Sequence, residues 1–428
     1  MVVRDMTFDW ITFVWITKAA RPSGRKHHWK HWFLCWAWLV SVLALPAQAQ
    51  LLVKKQRFDM PAFTTQSGVT LPISVGWEAY GTLNATKSNV VLVTHYFSGT
   101  SHAAGKYAPT DTQAGYWDAI IGPGKAIDTN IFYVISSDTL ANLNAYDPQV
   151  ITTGPASLNP KTGKPYGLDF PVVTITDFVE VQKALLDSLG IHKLHAVIGP
   201  SMGSFQALEW ASRYPERVER VAAVIGTGAM DAWTAVRLER WAYPIKADPA
   251  WQQGDYYGKR QQPSAGLAVA LAYVTQDALH PSGFNQKYAG LNQDVRAHQD
   301  IRHNLGVWEQ LLASAQSRSQ RMDANSLLYL VRASQLWRAG MGDNWQAALA
   351  KIRANTLFLP AEGDLLLTPA MATQSYQQLT TANRQYHLLK APSHSMGHLD
   401  GIVHIQDAAA QIQRWLHSDA PSLAPANR

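Results

Sequence analysis

Cysteine is almost missing from this chain of 428 residues: the single one, Cys35, lies in the first tenth of the sequence. No disulfide framework and no cysteine-built metal centre is therefore open to the rest of the chain. Charge is also sparse, at 16% Asp, Glu, Lys and Arg against 47% hydrophobic residues, a balance that favours a large buried core over disorder. The net charge is +6. Residues 1–49 carry six basic and two acidic side chains, so the remainder is only about +2, too little bias to argue for nucleic acid. No H-E-x-x-H and no G-x-x-x-x-G-K-[ST] occurs, and Gly122-Pro123-Gly124 lacks the third glycine of a dinucleotide fingerprint. No metal and no cofactor is expected.

What is present begins with a targeting pattern. Arg25, Lys26 and Lys30 precede an apolar run from Trp32 to Leu45, too short for a comfortable membrane span. Pro46-Ala47-Gln48-Ala49 then supplies small residues where signal peptidase needs them. Residues 1–49 read as a signal peptide, with the mature protein starting near Gln50 in the periplasm or outside the cell and keeping no stable membrane span.

Beyond it, short runs of strand character recur, the first of them apolar and β-branched. They are Val90–Val93, Ile131–Ile135, Leu194–Ile198, Val221–Ile225, Thr356–Leu359 and Arg384–Leu389. Such runs suit strands buried on both faces, as in a parallel sheet. Helical periodicity fills 176–189 and 204–214 between them, which predicts α/β architecture. From 229 to 350 the strands stop. Leu267, Leu271 and Val274, then Leu305, Trp308, Leu311 and Leu312, then Leu327, Leu330, Val331 and Trp337 repeat at helical spacing. The reading is a core in two parts, 50–228 and 351–428, with a helical lid inserted at 229–350 over the carboxyl edge of the sheet.

The chemistry sits at Gly199-Pro200-Ser201-Met202-Gly203, a G-x-S-x-G run between a predicted strand and a predicted helix. A sharp strand-to-helix turn exposes the serine hydroxyl, and the flanking glycines let the two elements approach closely. A hydroxyl is a poor nucleophile until a base takes its proton, and an acid must orient that base. In this arrangement the order along the chain is serine, acid, histidine. Asp364 follows the fifth predicted strand, with Glu362 as rival. After the last strand come two histidines, His394 and His398. Gly397 beside His398 favours the latter as base, leaving His394 a supporting or surface role. The oxyanion donors expected are the N–H of Met202 at the helix start and the N–H of Phe97 in the loop Thr94–Gly99.

These residues, with Ser101-His102-Ala103-Ala104-Gly105, Ile121 to Thr129, Thr162 to Gly167 and Gln206 to Ala211, resemble the homoserine O-acetyltransferase family of α/β-hydrolases. The resemblance spans nearly everything after the signal peptide. It implies an α/β-hydrolase fold, a mostly parallel sheet with an inserted helical lid. It also implies ping-pong acyl transfer through Ser201, Asp364 and His398, on a small-molecule acyl substrate, and a homodimer contact through the lid. Three departures stand out. Ala242 falls where the family places a lid arginine, with Arg240 out of phase. Leu399 replaces the aspartate after the catalytic histidine, and Asp400 is displaced by one. The segment Leu140 to Tyr146 replaces a glycine-rich loop. The expectation that follows is an exported ester hydrolase, with homoserine O-acetyltransferase or a related acyl-CoA-dependent O-acyltransferase as the alternative.

Overall fold

The computed structural model describes residues 51–390 and 395–418. The proposed signal peptide and His394 lie outside the described residues. The described residues form one compact unit.

Its centre is an eight-stranded sheet. The chain enters through β1 (Gln56–Thr64) and β2 (Thr70–Tyr80), an antiparallel pair, and β2 also runs antiparallel to β6 (Tyr133–Ser137). From there the sheet is parallel, through β3 (Val90–Val93), β7 (Ala196–Pro200), β8 (Arg220–Val224), β9 (Asn355–Leu359) and β10 (Arg384–Tyr386). The two-residue strands β4 (Ile121–Gly122) and β5 (Ile127–Asp128) pair apart from it. The spatial order is β1-β2-β6-β3-β7-β8-β9-β10.

The apolar runs are continuous because both faces are covered. In β3, Val90 and Leu92 join one core cluster and Val91 and Val93 the other, as the two-residue period of a strand requires. Helices α1 (Ile175–Ser188) and α2 (Met202–Arg213) close the first face; Ile412, Trp415 and Leu416 of the C-terminal helix (Ala409–His417) close the second. Each fully buried Val, Leu or Ile contributes about 1.5–3 kcal/mol to holding these layers together. Helix α1 starts on a capping box, in which Thr174 Oγ1 accepts from Asp177 N and Asp177 Oδ2 accepts from Thr174 N at 2.7 Å.

Between β8 and β9 every regular element among the described residues is helical. These include α3 (Ala232–Ala247), α4 (Ser264–Ala278), α5 (Pro281–Lys287), α6 (Gly306–Ser319), α7 (Ala324–Gln335) and α8 (Trp345–Ala350). Asp231, Asp323 and Asn344 cap α3, α7 and α8 through side-chain oxygens. Among the described residues no helix is long and apolar enough to cross a membrane.

Candidate active site

Ser201 sits at the sharp turn between β7 and α2 with φ 56° and ψ −122°, a conformation non-glycine residues rarely adopt. The surroundings hold it there. Ser201 N donates to Val224 O at 2.9 Å, and Ser201 O accepts from Ser204 N and Ser204 Oγ. The two motif glycines are sterically required. A β-carbon on Gly199 would lie 2.1 Å from Thr94 Oγ1, and one on Gly203 would lie 2.2 Å from Thr94 O. The helix and two strands meet so closely that only a hydrogen fits at either place.

His398 Nε2 lies 2.8 Å from Ser201 Oγ, and His398 Nδ1 lies 2.7 Å from Asp364 Oδ2. All three residues are buried. Asp364 uses its other oxygen to accept the N–H groups of Leu366 and Leu367 at 2.8 and 2.9 Å, which fixes the carboxylate plane. Glu362, the rival acid, is exposed and takes no part. The structure therefore brings together the three side chains that the chain order points to. Such a relay lets a serine pass its proton to an imidazole whose charge a buried carboxylate then stabilises.

The segment bearing His398 is held by a residue the sequence reading left idle. Asp400 is buried and accepts from Ser395 Oγ at 2.8 Å, Met396 N at 2.9 Å and the imidazole of His404 at 2.8 Å. The hydrogen bond that its imidazole gives to Asp400 raises the His404 pKa, which favours the charged imidazole beside the carboxylate. Asp400 thus ties down the loop around His398 and does not stand in for the aspartate that the family places one position earlier. Gly397 has φ 69°, and a β-carbon on it would lie 2.6 Å from His280 N, so a glycine is needed where the loop passes the insertion.

The two expected oxyanion donors flank the elbow. Met202 is the first residue of α2, and Phe97 lies in the loop after β3. Among the described residues neither N–H donates to a protein acceptor. The ring of Phe97 packs edge-on against Trp241 of α3, with centroids 5.4 Å apart, so the insertion covers this loop.

Two cations of the insertion are tied to one carboxylate, while a third, Arg318, donates to Leu271 O and Thr275 Oγ1 and lies near enough to Tyr96 to act on it electrostatically. Arg237 and Arg240 both donate to Asp277 Oδ1, at 2.8 and 2.5 Å, and the Trp241 indole donates to Asp277 Oδ2 at 2.7 Å. Arg237 also donates to Leu365 O, directly beside Asp364. Ala242 is packed in the apolar cluster with Leu238, Trp241 and Ile245. Leu399 packs against the other cluster and offers no polar group to a ligand. Among the described residues no cluster of three or more metal-ligating side chains is present.

An elbow serine, a buried histidine and a carboxylate above a mostly parallel sheet define a serine acyl-transfer enzyme of the α/β-hydrolase fold, and the α/β-hydrolase fold family model matches residues 136–400. The chain belongs to the homoserine O-acetyltransferase family. It is 38% identical over 349 residues to the homoserine O-acetyltransferase of Methanococcus vannielii, which covers 79% of this chain and 68% of that one. It is also 38% identical over 342 residues to the enzyme of that name from Citrifermentans bemidjiense, covering 78% and 89%. Among solved structures, homoserine O-acetyltransferase from Bacillus anthracis aligns with a TM-score of 0.83 at 35% identity, over 87% of this chain and all of that one. Esterase E22 aligns with the same TM-score at 56% identity, over 86% of this chain and all of its own. The expectation of an exported ester hydrolase is not established by these likenesses; the curated relatives back the acyltransferase alternative better.

Proposed function

We propose that the protein moves a short acyl group through an acyl-Ser201 intermediate, an assignment carried by the unbroken hydrogen-bond chain from Ser201 Oγ through His398 to Asp364. Ser201 Oγ attacks the carbonyl carbon of an ester or thioester while His398 Nε2 takes the hydroxyl proton. Asp364 holds the imidazole and offsets its charge. The tetrahedral oxyanion meets the N–H groups of Met202 and Phe97. On collapse the leaving oxygen or sulfur departs with the proton from His398, and the acyl group stays on Ser201. In the second half, His398 deprotonates the acceptor hydroxyl, which attacks the acyl carbonyl and releases Ser201 with its proton restored.

The acceptor in the first reading is the hydroxyl of homoserine, because the curated relatives carry the name homoserine O-acetyltransferase. A second reading, with water as acceptor, is favoured by two observations. One is the 56% identity to a protein named as an esterase. The other is the site itself. A zwitterion needs a cation for its carboxylate and an acceptor for its ammonium, yet Arg237 and Arg240 are bound to Asp277, and Leu399 is apolar. Each polar group of the substrate left unmatched costs about 1–3 kcal/mol. Export of the mature chain, supported by the basic and apolar leading segment, belongs to this proposal, as does a homodimer contact through the insertion.

One experiment separates the acceptors. Ser201 is loaded with acetyl from p-nitrophenyl acetate, and homoserine is added at rising concentration. The first reading expects O-acetylhomoserine to form in preference to acetate at millimolar acceptor. Acetate alone, released at a rate indifferent to homoserine, decides for water.

A further inference from the structure

His95, two residues past the end of β3 and second in the loop Thr94–Gly99, is fully buried and takes no part in the triad. Its two ring nitrogens have distinct partners. Thr139 N donates to Nε2 at 3.2 Å, and the Asn142 amide nitrogen approaches the same atom at 3.4 Å. A backbone N–H only donates, so Nε2 must carry the lone pair. The proton of the neutral ring is then on Nδ1, which donates to Tyr96 O at 2.8 Å. Gly99 N donates to the same carbonyl at 2.9 Å. That carbonyl shares one planar, trans peptide unit with the N–H of Phe97, so fixing the C=O on one side fixes the N–H on the other. Two donors on the oxygen also polarise the amide and strengthen its N–H as a donor.

We propose that neutral His95, in its Nδ1–H tautomer, is a positioning residue for the oxyanion hole, aiming and polarising the Phe97 N–H through the Tyr96–Phe97 peptide. The loop is held from outside as well. Asn142 donates to Gly99 O and Asn144 to Ser98 O, both at 3.0 Å, and Asn144 N donates to Asn142 Oδ1 at 3.0 Å. These asparagines come from the segment that replaces the family's glycine-rich loop, so that segment has a defined task here. Burial lowers the His95 pKa, which favours the neutral ring that the tautomer requires; the hydrogen bond to Tyr96 O and then Asp138 act in the opposite sense, and Lys55 in the same one. The inference rests on Phe97 being an oxyanion donor in the reaction above.

The test compares an oxygen ester with its thionoester, whose C=S sulfur is a poor hydrogen-bond acceptor and gains little from the hole. His95→Gln can set its amide oxygen near the Nε2 position as acceptor for Thr139 N–H, but it carries no donor at the Nδ1 position that faces Tyr96 O. With p-nitrophenyl acetate its kcat is expected to fall roughly ten- to a hundredfold, less than for outright loss of a donor, with KM little changed. The oxygen-ester to thionoester rate ratio should fall by the same factor. His95→Asn places an amide donor near the Nδ1 position and should restore most of both. A folded His95→Gln that keeps the wild-type ratio, or one that loses both substrates equally, overturns the proposal. Should His95→Gln not fold, Asn142→Asp carries the test: it removes the clamp on Gly99 O and sets an acceptor against Nε2, and an unchanged ratio there is equally fatal. Wild-type protein that acylates Ser201 with no preference for the oxygen ester defeats the inference alone. Wild-type protein that never acylates Ser201 defeats the reaction beneath it.

Discussion

Ser201→Ala is expected to lose roughly 10⁴-fold or more in kcat towards a short p-nitrophenyl ester while folding normally. The size follows from the chemistry. Without Oγ no acyl-enzyme forms, and only positioning and the oxyanion N–H groups remain to assist direct attack by water. Folding should survive because the strain at φ 56° is imposed by the backbone and is not a contribution of the hydroxyl. Alanine accepts that conformation no better than serine does, and the side chain is small enough to leave the elbow's packing intact. Steady-state turnover and far-ultraviolet circular dichroism on the same preparation check both halves. Near wild-type turnover in the folded variant would remove Ser201 from the mechanism.

Asp364→Asn should fall by roughly 10⁴ as well, through a different route. Asp364 Oδ1 accepts two backbone N–H groups, from Leu366 and Leu367, while Oδ2 faces His398 Nδ1. An asparagine keeps its oxygen on the two N–H donors and therefore points its NH₂ at the imidazole. Nδ1 must then accept, the ring proton moves to Nε2, and the nitrogen facing Ser201 can no longer take a proton. Glu362→Gln, altering an exposed carboxylate two residues away, should remain close to wild type. Paired kcat measurements on the two variants decide it; the reverse pattern would make Glu362 the acid.

Much of this site could be read before any coordinates, and the reason is local. The elbow needs two glycines at fixed offsets from a serine, and the parallel strands are buried on both faces, so Val90–Val93 and Val221–Val224 stand out as unbroken apolar runs. The antiparallel entrance, β1 and β2, went unread. Its first strand is mostly exposed or half-buried, and the second shows its period only at Leu71, Ile73, Val75 and Trp77, between polar and small residues. Strand limits also shifted: the run predicted at Ile131–Ile135 is paired at Tyr133–Ser137, because Ile131 is exposed before the strand begins.

The supporting network was illegible for a topological reason. His95 meets Thr139 and Asn142 only because β3 and β6, some forty residues apart in the chain, are parallel neighbours whose carboxyl ends open side by side, with Val93 opposite Ser136. No periodicity within either loop announces that contact. Asp400 is similar. Its displacement by one from the family's aspartate reads as a near miss along the chain, yet the turn after Gly397 directs it into its own loop, onto Ser395 and His404.

The central claim is a covalent one, and the most direct measurement is of the covalent species. Wild-type protein mixed with p-nitrophenyl acetate is quenched in acid on the millisecond scale, digested and mapped by mass spectrometry. The account predicts one acetyl group on the peptide containing Ser201, appearing with the burst of nitrophenolate, decaying as turnover completes, and missing from Ser201→Ala. A full nitrophenolate burst with the acetyl group on some other residue would contradict it.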